Sequence, residues 1–323
     1  MFFFLFEFLS IAFFLLLLGR ELIKKRGHVY TLAAGAIFGF LLELFSTHVS
    51  HTYTYGDFYF ALKGVPIFIA LDWAIIFYLA LSFSDQFELP WSVKPFLDAL
   101  IAINLDLAID AIAIRAGFWT WVIPLNQEWY GVPFENLAGW ILATLTFSFL
   151  IRFIRKFNPR RLLVKLAKLA LPFLASIIYP VLSVIYISLA LIPFHIDRLF
   201  KWSELWRLYK KFSYAGLSFQ PEVALWKLII LTFMLAQLVN ISFYFLIRHG
   251  RTKHFDFVSF SFFTLFHLIF LFGYFITGMF WQAPFLLFIA LTMLGLHFFL
   301  HLILPLGLIN LSWFRKIKSL VSN

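Results

Sequence analysis

The chain has 323 residues, of which 63% are hydrophobic, 21% aromatic and only 13% charged, with a mean hydropathy of +0.91. A soluble domain is about half apolar and a quarter charged, so a water-facing globule is excluded. The chain has no cysteine, which excludes disulfide frameworks, thiolate catalysis, iron–sulfur clusters and cysteine-bound zinc. The net charge of +10 is spread between apolar runs rather than along one face. That pattern fits loop charges that set orientation and touch anionic lipid, with no nucleic-acid partner.

A bilayer core is crossed by about 20 apolar residues in helical form, because backbone amides find no water there. On that yardstick, spans fall near 2–19, 29–46, 65–83, 96–116, 135–151, 169–193, 223–247, 257–280 and 285–309. The prediction is an all-α, polytopic membrane bundle of about nine transmembrane helices in a single membrane domain. The first run lacks the preceding positive charge and small-residue cleavage site of a signal peptide. Its charges follow it, at Arg20, Lys24, Lys25 and Arg26, so it reads as a retained helix with the N-terminus outside. In that orientation, segments 20–28, 84–95, 152–168, 248–254 and 310–323 lie inside and hold 18 of the 26 Lys and Arg residues. The positive-inside rule then holds for a multi-pass protein of the cytoplasmic membrane. The exception is 194–222, with five basic residues on the outer side. There 196–212 spaces Leu199, Trp202, Leu205, Trp206 and Tyr209 as an amphipathic helix lying in the interface.

Ionisable groups within spans are costly and carry a functional hypothesis by default. Helices two to five hold Glu43, Asp72, Asp98, Asp106, Asp110 and Glu135, whereas the later helices are nearly free of acids. Up-and-down threading at about 1.5 Å per residue puts Glu43, Asp72, Asp110 and Glu135 within roughly 10 Å of one membrane face. Asp106 lies one turn deeper than Asp110 on the same helical face, and Asp98 lies near the opposite membrane face. The adjoining loops, 47–60 and 117–136, bring Tyr53, Tyr55, Tyr59, Trp119, Trp121, Trp129 and Tyr130 to the same end.

Carboxyls beside a dense aromatic wall suit carbocation chemistry. An acid protonates an alkene, and aromatic faces and carboxylates then stabilise the positive charge. Plainer roles stand beside this one. Trp and Tyr at helix ends form interfacial belts in membrane proteins generally. Glu43 and Glu135 could be solvated or capping, and Asp72 or Asp110 could pair with Arg115 or Lys63. Histidines 48, 51, 195, 249, 254, 267, 297 and 301 show no tight ligand grouping, and a structural role is expected of them rather than a metal site.

The same region carries a family likeness. Gly39–Glu43, Tyr55-Gly56, Gly64-Val65-Pro66 with Trp73, Asp106–Asp110, Gly117–Trp121, Tyr130–Pro133 with Asn136, and Gly139-Trp140 occur in order over residues 35–142. This set resembles the integral-membrane carotenoid biosynthesis family that includes carotenoid end-group hydratases. The resemblance implies addition of water to the terminal 1,2 double bond of an acyclic carotenoid end, with a lipophilic polyene as substrate and no redox cofactor or metal. The candidate catalytic set is Asp110, Asp72, Glu43, Glu135 and Asp106, with Asp72 or Asp110 as the acid and Glu43 positioning water. The candidate substrate-binding set is Tyr55, Trp73, Trp119, Trp121, Tyr130, Asn136 and Trp140.

Two departures from the family pattern bear on this reading. Ala111 stands where the family usually has a proline, which would kink the helix. Pro133-Phe134-Glu135-Asn136 resembles the Pro-x-Glu-Glu/Asp motif of the small lycopene cyclases, in which a neighbouring double bond captures the same cation. A cyclase is therefore the nearest rival. Asn104-x-Asp106-x-x-x-Asp110 has spacing that could serve an intramembrane prenyltransferase, but helices six to nine lack a second aspartate-rich motif. A transporter or lipid-binding scaffold would use the acids as a proton relay, yet the acids are confined to the first half. The sequence leaves the oligomeric state open.

Overall fold

The computed structural model of the chain describes residues 2–24, 28–157, 162–195, 221–249 and 255–305. Among the described residues, nine helices have the length of a membrane crossing or close to it: α1 Phe2–Lys24, α2 Val29–His48, α3 Ile67–Asp85, α4 Lys94–Arg115, α5 Phe134–Arg155, α6 Leu162–His195, α7 Pro221–His249, α8 Phe257–Ile276 and α10 Phe285–Phe298. The short α9, Met279–Gln282, joins α8 to α10, which runs on into a π-helical turn, Phe299–Ile303. Among the described residues, seven helices are long and apolar enough to cross a bilayer. The protein is thus a multi-pass membrane helical bundle, as its sequence predicts. The predicted interfacial helix at 196–212 lies outside the described residues.

The bundle is organised around α4. That helix carries three aspartates, yet nearly its whole length is buried. It packs against α3, α5, α7, α8 and α10, so its acids face protein rather than lipid. The outer helices are different: α6 and α7 leave most of their residues facing outward, and their exposed side chains are large and apolar.

Helix α2 lies close against α3 because of Gly35-Ala-Ile-Phe-Gly39, a small-xxx-small pattern that lets helical backbones approach. A Cβ on Gly39 would sit 2.5 Å from the Trp73 Cβ, and one on Gly35 would sit 2.9 Å from the Ala74 Cα. Beside this contact, Phe77 stacks on Phe147, with centroids 4.5 Å apart, and on Phe38 at 5.7 Å.

One end of the bundle is held by charge. Arg152 of α5 is buried and donates to Asp85 at 2.6 Å, to Asp98 at 3.0 Å and to the Ser84 hydroxyl at 2.6 Å. Ser148 adds a second hydrogen bond to Asp98, and Lys94 bonds Asp85 at 2.8 Å. Farther along the bundle, His267, His297 and His301 form a buried group. Ring centroids lie 4.6 Å apart for His297–His301 and 5.6 Å for His267–His297, and Thr264 hydrogen-bonds His297. The sequence shows the His297–His301 spacing but not the approach of His267. Among the described residues no set of three His, Asp or Glu side chains is arranged to hold a metal ion.

Candidate active site

The other end of the bundle is closed by a β-ribbon where the sequence reading has only aromatic loops. β1 (Tyr53–Tyr55) pairs antiparallel with β4 (Trp119–Trp121), in the register Tyr53↔Trp121, Thr54↔Thr120 and Tyr55↔Trp119. Successive side chains of a strand point to opposite faces. Tyr-Thr-Tyr and Trp-Thr-Trp therefore put four aromatic rings on one side and both threonines, which are exposed, on the other. The Tyr53 ring lies 4.4 Å from that of Trp121, and Tyr55 lies edge-on to Trp119 at 6.2 Å. A second small hairpin, β2 (Ala61–Leu62) with β3 (Val65–Pro66), turns through Lys63 and Gly64, both at positive φ.

Beneath the aromatic side of the ribbon lies a cavity of about 170 Å³. Glu43 from α2, Asp72 from α3, Asp106 and Asp110 from α4, and Glu135 from α5 all line it. The layer of acids inferred from helix depth is therefore one continuous site. Of the predicted wall residues, Tyr55, Trp73, Trp119, Trp121, Asn136 and Trp140 line the cavity as well. Trp73 and Trp140 face each other with centroids 4.3 Å apart.

Tyr130 does not line the cavity. It sits at positive φ (53°) in a turn with Gly131 (88°), its ring lies against Trp129, and its carbonyl accepts from Arg115 at 2.6 Å. A Cβ on Gly131 would lie 2.7 Å from the Leu125 backbone, so this motif forms a tight turn rather than a pocket wall. Arg115 also donates to the carbonyls of Ala111 and Leu125, and no hydrogen bond joins it to Asp72 or Asp110. Lys63 is exposed in its hairpin. Neither cation pairs with the acids as the plainer reading allowed.

The partners of the five carboxyls differ in kind. Glu43 accepts from the Trp73 indole at 2.6 Å, from the Tyr55 phenol at 2.5 Å and from the Tyr53 phenol. Burial and the adjacent Glu43 push both phenols well above the usual tyrosine range, so they remain donors. Asp72 accepts from Ser10 of α1 at 3.0 Å, and its second oxygen has no hydrogen-bond partner. Asp110 accepts from Asn136. Asp106 shares a side-chain hydrogen bond with the Asp110 carboxyl, and the indole N–H groups of Trp119 and Trp121 have no partner within the described residues. Glu135 alone among the five forms an ion pair within the described residues, to Lys227 at 2.7 Å.

Such a cavity can protonate an apolar group and hold the resulting cation. Its acids donate and accept protons, and its rings present negative faces. A model of the carotenoid biosynthesis protein family matches residues 1–201. The chain belongs to this family. A 58-residue stretch is 41% identical to a bisanhydrobacterioruberin hydratase of Haloarcula japonica, over 16% of this chain and 19% of that protein. The chain thus spans about a fifth of the length of that curated relative. No solved structure matches it.

In this carotenoid biosynthesis protein, several contributors to the site lie outside helices two to five. Ser10 and Phe6 come from α1, Tyr179 and Ser183 from α6, and Phe266 and Phe270 from α8. Only an i, i+4 polar pair on α6 marks them in the sequence, and hydropathy hides the rest. Tyr179 fits because α5 has Gly139 opposite it, where a Cβ would lie 2.9 Å from the phenol oxygen.

Proposed function

We propose that the protein hydrates the terminal 1,2 double bond of an acyclic carotenoid end group. The observation that carries this reading is the end-group-sized cavity whose carboxyls, Glu135 apart, have no cation partner among the described residues. An apolar cavity of about 150 Å³ takes one benzene. A site of about 170 Å³ therefore suits one branched end of a polyene and not the whole molecule.

In the proposed reaction, Asp72 or Asp110 gives its proton to C2. The C1=C2 electron pair becomes the new C–H bond and leaves a tertiary cation at C1. A water positioned by Glu43 forms the C1–O bond, and its surplus proton returns to a carboxylate. Water is added without net oxidation or reduction. Tyr55, Trp73, Trp119, Trp121 and Trp140 would flank the cation, and Asp106 and Asn136 would support Asp110. Membership of the carotenoid biosynthesis family and the partial likeness to a hydratase support the substrate class. The distribution of Lys and Arg supports insertion in the cytoplasmic membrane with the N-terminus outside.

A second reading rests on Glu135, which lines the cavity within the cyclase-like Pro133-x-Glu135 segment. In it, an internal double bond of the substrate captures the same cation. Expression in a lycopene-accumulating bacterial host, with mass analysis of the pigments, separates the two. Gain of one water's mass supports hydration, and an isomer of unchanged mass supports cyclisation. An unchanged pigment would sink both readings.

A further inference from the structure

Lys227 lies on α7, beyond the residues matched by the family model, in a helix otherwise apolar enough to cross a membrane. Its side chain is fully buried. A lysine within a span is rare and ordinarily faces a partner or a polar site. Here the Nζ lies 2.5 Å from Glu128 Oε1 and 2.7 Å from Glu135 Oε2. The other oxygen of Glu128 accepts the Phe134 N–H at the start of α5, at 2.6 Å. Next to Glu128, Trp129 donates its indole N–H to the Leu107 carbonyl of α4 at 2.8 Å. Tyr186 of α6 donates to the Lys227 carbonyl at 2.8 Å. One ammonium thus joins three pieces of the molecule, the 117–133 loop, α5 and α7, and the Lys227 backbone carbonyl ties in α6.

The consequence falls on the cavity. Glu135 lines it, and among the five carboxyls there it is the one with a cation in contact within the described residues. Groups of one chemical type in one pocket take different roles when their surroundings differ. The ammonium lies against one oxygen of Glu135, and within the described residues Glu43, Asp72, Asp106 and Asp110 have no such partner. Outside the spans, burial and the nearby Glu135 raise Glu128 to about 7, partly offset by Lys227. The clamp therefore holds two competing carboxyls on one cation.

We propose that Lys227 is a positioning residue of this site: it holds the Glu135 side chain facing the end-group cation and ties the Glu128 loop down beside the pocket. The role assigned to Glu135 rests on the hydration reading. The carboxylate prolongs the cation until water bonds to C1. Without it, the cation returns a proton to a nearby base and leaves as an isomer of unchanged mass.

The test compares Lys227→Met, Lys227→Arg, and Lys227→Met combined with Glu135→Gln in the lycopene-accumulating host. In Lys227→Met, the ratio of hydrated to unhydrated product is expected to fall about tenfold, equivalent to about 1.4 kcal/mol. Lys227→Arg is expected to recover most of the ratio, and Glu135→Gln to add less than about twofold in the Met background, because the two residues act as a unit. An unchanged ratio in a Lys227→Met protein that accumulates normally would overturn the proposal.

The loop is read separately. The chain has no cysteine, and Ile123 is buried in the loop, so Ile123→Cys provides a single maleimide target. Its labelling should rise severalfold with Lys227→Met and stay low with Lys227→Arg, whatever the pigment. Equal labelling in all backgrounds would overturn the clamp. Absence of hydrated product in the unmodified protein would instead sink the reaction reading and leave the labelling result standing.

Discussion

Asp98 and Asp106 lie two turns apart on the same helix, and both are completely buried. Asp98 meets Arg152, which also holds Asp85, and Ser148 adds a hydroxyl. Asp106 meets the Asp110 carboxyl and no cation within the described residues, and its other neighbours in the cavity are aromatic rings and further carboxyls. Equal burial with opposite company separates an acid locked in an ion pair from one left facing a cavity. A buried pair is a lock, whose removal on one side leaves an uncompensated charge. A carboxyl facing a cavity without a cation partner keeps its oxygens available to a substrate. The two ends of the bundle therefore use the same residue type for different purposes.

The sharpest way to break this contrast is at the cavity end. Asp110→Asn and Asp72→Asn, each made alone, should leave membrane accumulation normal. The variant that removes the acid should lose about 10²- to 10⁴-fold in pigment conversion, the usual range for acid catalysis. Full conversion in both would remove them as acids. At the other end, Arg152→Met should cost about 3–5 kcal/mol by leaving Asp98 buried without its cation, whereas Asp85 keeps Lys94. The melting temperature in detergent should fall accordingly, and adding Asp98→Asn should recover part of the loss. An unaltered melting temperature would show that the lock is not needed.

Smaller effects refine the picture. Gly39→Leu should cost about 1–3 kcal/mol through overpacking against Trp73, and should disturb the Glu43 contacts that depend on that indole. Thermal unfolding together with conversion measures both consequences. Tyr55→Phe removes one of three donors to Glu43, worth about 1 kcal/mol, and should slow conversion a few fold with little loss of stability. Tyr130→Phe should change least, since Arg115 holds the Tyr130 backbone carbonyl, which the substitution keeps. A large loss of conversion there would return Tyr130 to the pocket wall that the sequence predicts.

Much of the site was legible before any coordinates. Glu43, Asp72, Asp110 and Glu135 fall at one membrane depth because helix rise and up-and-down threading leave little freedom, and all four line one cavity. The β-ribbon was not read from the sequence, which offered only aromatic loops there, although the period-two alternation of Tyr53-Thr54-Tyr55 and Trp119-Thr120-Trp121 carries its signal. Tyr130 misleads because a motif glycine beside it looks like a pocket signature, whereas it serves a turn at positive φ. Ser10, Tyr179 and Lys227 could not be assigned from sequence. Each is a polar group in a largely apolar helix, and what it meets lies tens of residues away in the chain.

Composition, span length and acid placement by themselves determine a multi-pass helical bundle with a carboxyl-rich layer in its first half. These properties are local, fixed by hydropathy and by a rise of about 1.5 Å per residue. Only the tertiary structure decides which acids are paired. That outcome depends on lateral helix packing: α4 sits at the centre, Arg152 turns toward Asp98, and α7 brings Lys227 to Glu135. Hydropathy reports depth along the membrane normal and carries no record of which helices are neighbours.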